Sequence, residues 1–337
     1  MNTGQGWRTW NPNGTFVDRY IGETEKNLTA VFTYYMIRQS NPGAGDGDEP
    51  HAVLANLRNA ATMKAWLGDV RALLGRAGGF PKRTVVLHVE PDMWGYGEQA
   101  AKNDDAATVP VARVGDMAAL ARRVVSLRDQ LAPNVLLAYH ASGWGTGVDL
   151  SINDPSLARS ADLGRKAGRF YRSLKADFDV TFTDWSDRDA AFKRAIYGAG
   201  PEAWWTSADR ARALRFLRAY TAKARQRVAV WQLPLGNTVM RAMDDTWGHY
   251  QDNHVQWLLG RDSRKHLRAL RDAGAIGFLF GGGAPGTTCA CDATGDGRTN
   301  PAPINGNTRA SYSADDDGGF FRRQARAYYG AGAVGLR

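Results

Sequence analysis

The sequence is poor in thiols, lysine and glutamate. Its 337 residues hold two cysteines, nine lysines and six glutamates, against 28 aspartates. Cys289 and Cys291 form a Cys-Ala-Cys pair. Two cysteines are too few for a disulfide scaffold, and the spacing is not that of a zinc finger. They either close a strained local disulfide or stay reduced. The scarcity of thiols suits an exported protein. No apolar run reaches the ~18 residues of a membrane span. No apolar h-region follows Met1, so no signal peptide is visible; on the thiol usage a secreted protein is expected, its signal absent from this sequence. There is no internal repeat, heptad array or low-complexity tract. No glycine-rich fingerprint follows any strand-like run, and no phosphate loop is present, which argues against a nucleotide enzyme. No Ser/His/Asp or Cys/His nucleophile spacing emerges.

What is present describes a folded globular chain. It is 43% hydrophobic and 23% charged, with a net charge of +9, an ordinary composition for a packed protein. Arginine supplies most of the positive charge and falls on helical patterns, as at 121–123 and 208–212. These read as solvated faces, so neither nucleic acid nor a membrane is expected as partner, and a monomer is expected.

Short apolar, β-rich runs occupy 28–37, 84–90, 134–140, 178–185, 227–233 and 275–280. Runs of this kind are typical of buried parallel strands. Helical periodicity separates them at 51–75, 114–131, 156–175, 208–224 and 253–273, with a last helix at 320–329. Strand-helix alternation implies a parallel sheet with right-handed crossovers. With six clear units and irregular ends, the expectation is an α/β fold. Residues 1–337 form one TIM-like (β/α) barrel of seven or eight strands, distortion allowed; a doubly wound open sheet is the alternative. The glycine-rich stretch 281–319 reads as a long loop after a late strand, at the end where such barrels carry function.

The second strand is the most informative. It reads Val85-Val86-Leu87-His88-Val89-Glu90-Pro91-Asp92-Met93-Trp94-Gly95. A period of two puts His88, Glu90 and Asp92 on one face, and Pro91 ends the strand. Glu90 and Asp92 therefore belong at the carboxyl mouth. A carboxylate after an apolar run is either used or serves as a buried brace. Asp184 ends the fourth strand and is the candidate for the opposing carboxylate. Paired carboxylates are what glycoside hydrolysis requires: one protonates the leaving oxygen, and the other attacks the sugar or activates water. Asp189 reads as a helix cap.

The segment VLHVEPDMWG resembles the Glu-Pro-Asp signature of glycoside hydrolase family 6, the cellulases and cellobiohydrolases. The resemblance implies an active-site role for Asp92 and, by position, for Glu90. The family's Pro-Asp-Arg-Asp loop has no matching motif here, although segment 38–49 carries acidic residues at the corresponding place in chain order.

Aromatic and polar residues at strand ends complete a candidate sugar cleft: Tyr34, Trp94, His140, Trp144, Trp185, Trp231 and Gln232, with Trp247 and His249 in the following loop. Indole faces stack on pyranose rings. Tyr35 and Tyr96 lie in the same positions. Catalysis needs no cofactor in this reading. Asp292, Thr294 and Asp296 match the first half of a calcium loop, with Pro303 at the twelfth position, so a structural Ca2+ in a loop that is not an EF-hand is expected. The expected function is hydrolysis of a polysaccharide, a β-glucan foremost. The rivals are a glycosidase for α-linked or mannose-type polymers and a non-catalytic carbohydrate-binding barrel.

Overall fold

The computed structural model describes residues 14–186, 188–240, 243, 245, 250–281 and 317–336. The elements run α1 (Thr15–Glu23), β1 (Ala30–Tyr34), α2 (Glu49–Arg58), α3 (Ala60–Gly78), β2 (Val85–Val89), α4 (Pro91–Ala100), β3 (Pro110–Val111), β4 (Gly115–Asp116), α5 (Met117–Leu131), β5 (Val135–His140), α6 (Leu157–Ser173), β6 (Val180–Asp184), α7 (Ala190–Tyr197), α8 (Ser207–Ala224), β7 (Val228–Pro234), α9 (His254–Leu259), α10 (Ser263–Asp272), β8 (Ala275–Gly281) and α11 (Phe320–Gly330). No helix among the described residues is long and apolar enough to cross a membrane. The chain divides into two compact units. The first is Met1–Val148, Asp162–Phe182 and Ala219–Gln226; the second is Asp149–Ala161, Thr183–Arg218 and Arg227–Arg337.

In the first unit β1, β2, β5 and the start of β6 form a parallel ladder in register Ala30↔Val85, Val85↔Val135 and Ala138↔Val180. Its strands are apolar because both faces are covered. Leu87, Val89, Leu137 and Tyr139 are buried, as are Met63, Trp66, Val70 and Leu74 of α3 and Leu120, Val124 and Leu127 of α5. Each such side chain contributes roughly 2 kcal/mol on leaving water. In the second unit β7 and β8 pair in parallel, with register shifts that leave Gln232 at φ 53°. Trp185, Phe192, Trp205, Phe216, Val230, Leu233 and Leu258 make its core.

The barrel expectation is corrected. Six parallel strands are present among the described residues, not seven or eight. Among the described residues of its unit β1 is laddered on one side only, to β2, and β8 on one side only, to β7. The extra strands were inferred from irregular ends, but the segment before β1 is the helix α1, and β3 and β4 form a separate two-stranded antiparallel ladder. Two predicted helices are each split by a local signal. Asn59 takes an extended conformation, closes α2 and caps α3, its side chain accepting the Thr62 N–H at 3.0 Å. Extended Gly260 ends α9, and a Cβ there would lie 2.2 Å from the Gln256 carbonyl oxygen.

The turn after β1 is organised by one buried side chain. Asn56 of α2 accepts the Gly43 N–H at 2.8 Å and donates to the Ile37 and Ser40 carbonyls at 2.7 and 2.8 Å. Replacement N56A is expected to lower the unfolding free energy by about 3 kcal/mol, at about 1 kcal/mol per bond. Urea denaturation measures this, and a loss below about 1 kcal/mol would show that the turn holds without Asn56.

Candidate active site at the ends of β1 and β2

β2 passes into α4 through a single residue. Val89 ends the strand, Glu90 adopts φ 45° and ψ 71°, and Pro91 opens the helix. Proline fits the first helical position because its missing N–H would have no intrahelical acceptor. A left-handed glutamate is strained and persists when its surroundings fix it. Here they do. The Glu90 N–H donates to the Tyr34 carbonyl at 2.7 Å. Its carboxylate accepts the Met36 N–H at 2.9 Å, the Ile37 N–H at 3.1 Å and the Trp66 indole N–H at 2.7 Å. The side chain is fully buried. Burial pushes its carboxyl up to about 7, against the Trp66, Met36 and Ile37 donors, which favour the charged form; the Asp92 charge adds to the rise.

The shared-face reading of His88, Glu90 and Asp92 is corrected, because the strand ends before Glu90 and Asp92 belongs to the first turn of α4. That turn is where the helix dipole favours a carboxylate. Asp92 is half-buried and bonded to the Tyr35 side chain. The exposed Glu49, in the first turn of α2, accepts the Tyr96 hydroxyl at 2.7 Å and faces Arg38 Nε at 3.5 Å. Both phenols are held well above the ordinary tyrosine range, first by burial. For Tyr35 the Asp92 charge and hydrogen bond follow, and for Tyr96 the Glu49 bond and charge. Both therefore remain neutral donors across the working pH range. Trp144, half-buried, lies 4.8 Å from Tyr96 between ring centroids. It sits so close to α4 that a Cβ on Gly95 would fall 2.6 Å from its ring. The result is a half-open surface of two carboxylates, two tyrosines, Arg38 and an indole at the carboxyl ends of β1 and β2.

Several expected cleft residues are core instead. Trp94 is fully buried, donates to the Val89 carbonyl at 2.7 Å and packs on Tyr139 and Phe178. Tyr34 is buried against Trp66. His140 is buried with its Nδ1 3.0 Å from His88 Nε2, and burial together with the His140 charge holds His88 well below the ordinary histidine range. In the second unit Trp185 packs against Trp205, Trp257 and His254. Trp231 and Gln232 are half-buried in β7, and Asp184 is half-buried at the end of β6. Trp247, His249, Asp292, Thr294, Asp296 and both cysteines lie outside the described residues. Among the described residues no group of three or more His, Cys, Asp or Glu is placed to hold a metal ion. Sequence reasoning missed Trp66, whose indole reaches Glu90 from mid-helix. Glu49 was foreshadowed by the acidic segment 38–49.

No protein-family profile matches the chain, and no curated protein sequence does. Among solved structures it is similar to a GH6 enzyme of Orpinomyces sp. Y102, with 16% identity and a TM-score of 0.37, over 64% of this chain and 56% of that one. The likeness thus spans just over half of that enzyme's length.

Glu90 is an acid whose folded value is raised from 4.5 to about 7. Its contribution to stability is complete below about pH 4.5 and is lost as pH rises through about 7, because the folded state binds the proton more tightly. Urea midpoints should therefore fall between pH 5 and pH 8, and fall less in E90Q. E90Q should also cost about 2 kcal/mol at neutral pH, since one amide oxygen replaces a carboxylate that accepts three N–H groups. An E90Q curve parallel to the parent's would show that this carboxyl does not titrate in that window.

Proposed function

We propose that this chain is a glycoside hydrolase whose first unit carries Asp92 as the reacting carboxylate. The observation that supports the reading is the pairing of two solvent-reaching carboxylates, Asp92 and Glu49, with the Tyr35 and Tyr96 hydroxyls, beside the indole of Trp144. Neutral phenols donate to both carboxylates and fix their orientation. An Asp92 carboxylate oriented by the Tyr35 hydroxyl suits the base or nucleophile role. Tyr96 and Trp144 offer ring faces to a sugar, and Arg38 with Glu49 offers hydroxyl partners. Glu90 supports the site from beneath: it positions the turn after β1 and the start of α4. Asp184 enters on sequence grounds alone, as the candidate for the second carboxylate. The favoured substrate is a β-glucan.

Reducing-sugar release from a panel of β-glucans, α-glucans and mannans tests this. D92N is expected to fold and to lose at least about a hundredfold in turnover, the scale of lost general acid–base catalysis. D184N is expected to lose a similar factor. Y35F is expected to lose about tenfold, through Asp92 orientation, with KM little changed. A D92N protein with near-parental turnover on a substrate the parent cleaves would place the chemistry elsewhere. Binding to a glycan with no release of ends would favour a carbohydrate-binding protein.

A further inference from the structure

The second unit leaves an apolar cavity of about 250 Å³ between β8, α9, α10, α11 and the tail after α11. Ile276, Phe278 and Phe280 share one face of β8 by the strand period of two, and with Leu258, Leu267 and Phe321 they line the space. Among its described lining residues the one charged group is Arg271. Phe278 and Phe280 are only half-buried and Ile276 is 38% exposed. Tyr329 and Leu336 border the cavity and are 70% and 66% exposed. The Tyr328 hydroxyl accepts the Val334 N–H at 2.7 Å and holds the tail in place as a wall. Protein interiors pack almost without voids larger than a water molecule. A space with few polar partners holds water poorly, and a contiguous apolar opening marks a binding surface.

A second space adjoins it. An open groove of about 840 Å³ shares Leu259 and Tyr328 with the cavity as lining. Arg218, Arg261, Arg264, Lys265 and Arg268 line this groove against two carboxylates, Asp262 and Asp272. Asp272 already pairs with Arg271 at 2.9 Å, so the groove keeps a surplus of positive charge. Arg264 donates to the Ala331 and Gly332 carbonyls, which fixes it across the end of α11. On α10 the two spaces lie one residue apart. Leu267 and Arg271 line the cavity, and Arg268 and Asp272, each the next residue round the helix, line the groove.

We propose that the second unit binds a free fatty acid, with its hydrocarbon chain in the apolar cavity and its carboxylate in the basic groove. An apolar space beside a cationic one is complementary to a molecule with an apolar chain and an anionic head. The cavity lies near the lower bound of about 300 Å³ for small-molecule pockets, which suits one chain and not the paired chains of a membrane lipid. The aromatic rings of Phe278, Phe280 and Phe321 gain from covering methylene groups, and the exposed guanidinium and ammonium groups of Arg261, Lys265 and Arg268 form charge-assisted hydrogen bonds with a carboxylate. Such a site stands whether or not the first unit hydrolyses glycans.

Isothermal titration of the full chain with monomeric octanoate, decanoate and dodecanoate tests the site. Saturable binding is expected, with Kd falling roughly fourfold per added methylene until the cavity is full. Dodecyltrimethylammonium, which carries the same chain on a cation, should bind at least about tenfold more weakly. A325F places a ring in the cavity from α11 and should weaken dodecanoate binding at least about tenfold without changing the charge of the protein. K265E with R268E, at two exposed positions, should weaken it by a similar factor. Absence of saturable dodecanoate binding overturns the proposal. So do equal affinities for the anionic and cationic amphiphiles, undiminished binding in A325F verified as folded by near-ultraviolet circular dichroism, and binding to anionic phospholipid vesicles without binding of the free acid. If A325F does not fold, undiminished binding in the K265E/R268E protein overturns it.

Discussion

Three N–H groups converge on one buried carboxylate at 2.7–3.1 Å, and the candidate site hangs from that point. Glu90 is the single residue between β2 and α4. Its side chain ties down the turn after β1, its backbone N–H ties to the end of β1, and its position sets where Pro91 starts the helix. Asp92 and Tyr96 follow from α4, Tyr35 from the turn, and Trp66 closes the rear. The three donors offset only part of the cost of burying this carboxyl, and removal of any one of them exposes more of it. That asymmetry explains why a strained left-handed glutamate is held here.

The two glutamates of α4's neighbourhood illustrate how surroundings decide the state of one residue type. Glu90 and Glu98 both titrate high because both are buried. Glu90 meets N–H donors; Glu98 Oε1 has no hydrogen-bond partner among the described residues, and the Lys166 charge opposes its rise. Glu49, by contrast, reaches solvent and is held by a phenol and a guanidinium. Three of the six glutamates in the chain therefore cap α4, lie in it or bond to it from the first turn of α2. Their scarcity elsewhere made each worth weighing singly.

Strand positions were legible because buried parallel strands write uninterrupted apolar runs: four of the six predicted runs contain the observed strand, and those of β7 and β8 stop one residue short of its end. Closure was not legible, since it depends on how edge strands are finished and no periodicity records that. The strand end at Pro91 was readable from proline chemistry, but its sequel was not. Only the structure shows a helix starting at once, which removes Asp92 from the face of His88. Aromatic residues at strand ends were ambiguous for a physical reason. Trp94 and Trp144 carry the same side chain, yet one faces the sheet interior and the other lies over a glycine. Asp92 and Glu90 were found from their place after an apolar run; Tyr35 and Glu49 were visible but unranked, because their bonds form between distant segments.

Gly95 and Gly97 in α4 bear on how this region assembles. A Cβ on either would collide, with Trp144 or with Met117. Each glycine also withdraws about 1 kcal/mol of helix propensity from a ten-residue helix. So short a helix, with two glycines, has no stability of its own in water. It exists because the loop carrying Trp144 and the start of α5 lie against it. The helix at residues 91–100 is thereby a tertiary product: it draws its stability from segments that follow it in the chain, so the candidate surface it carries is not a local motif.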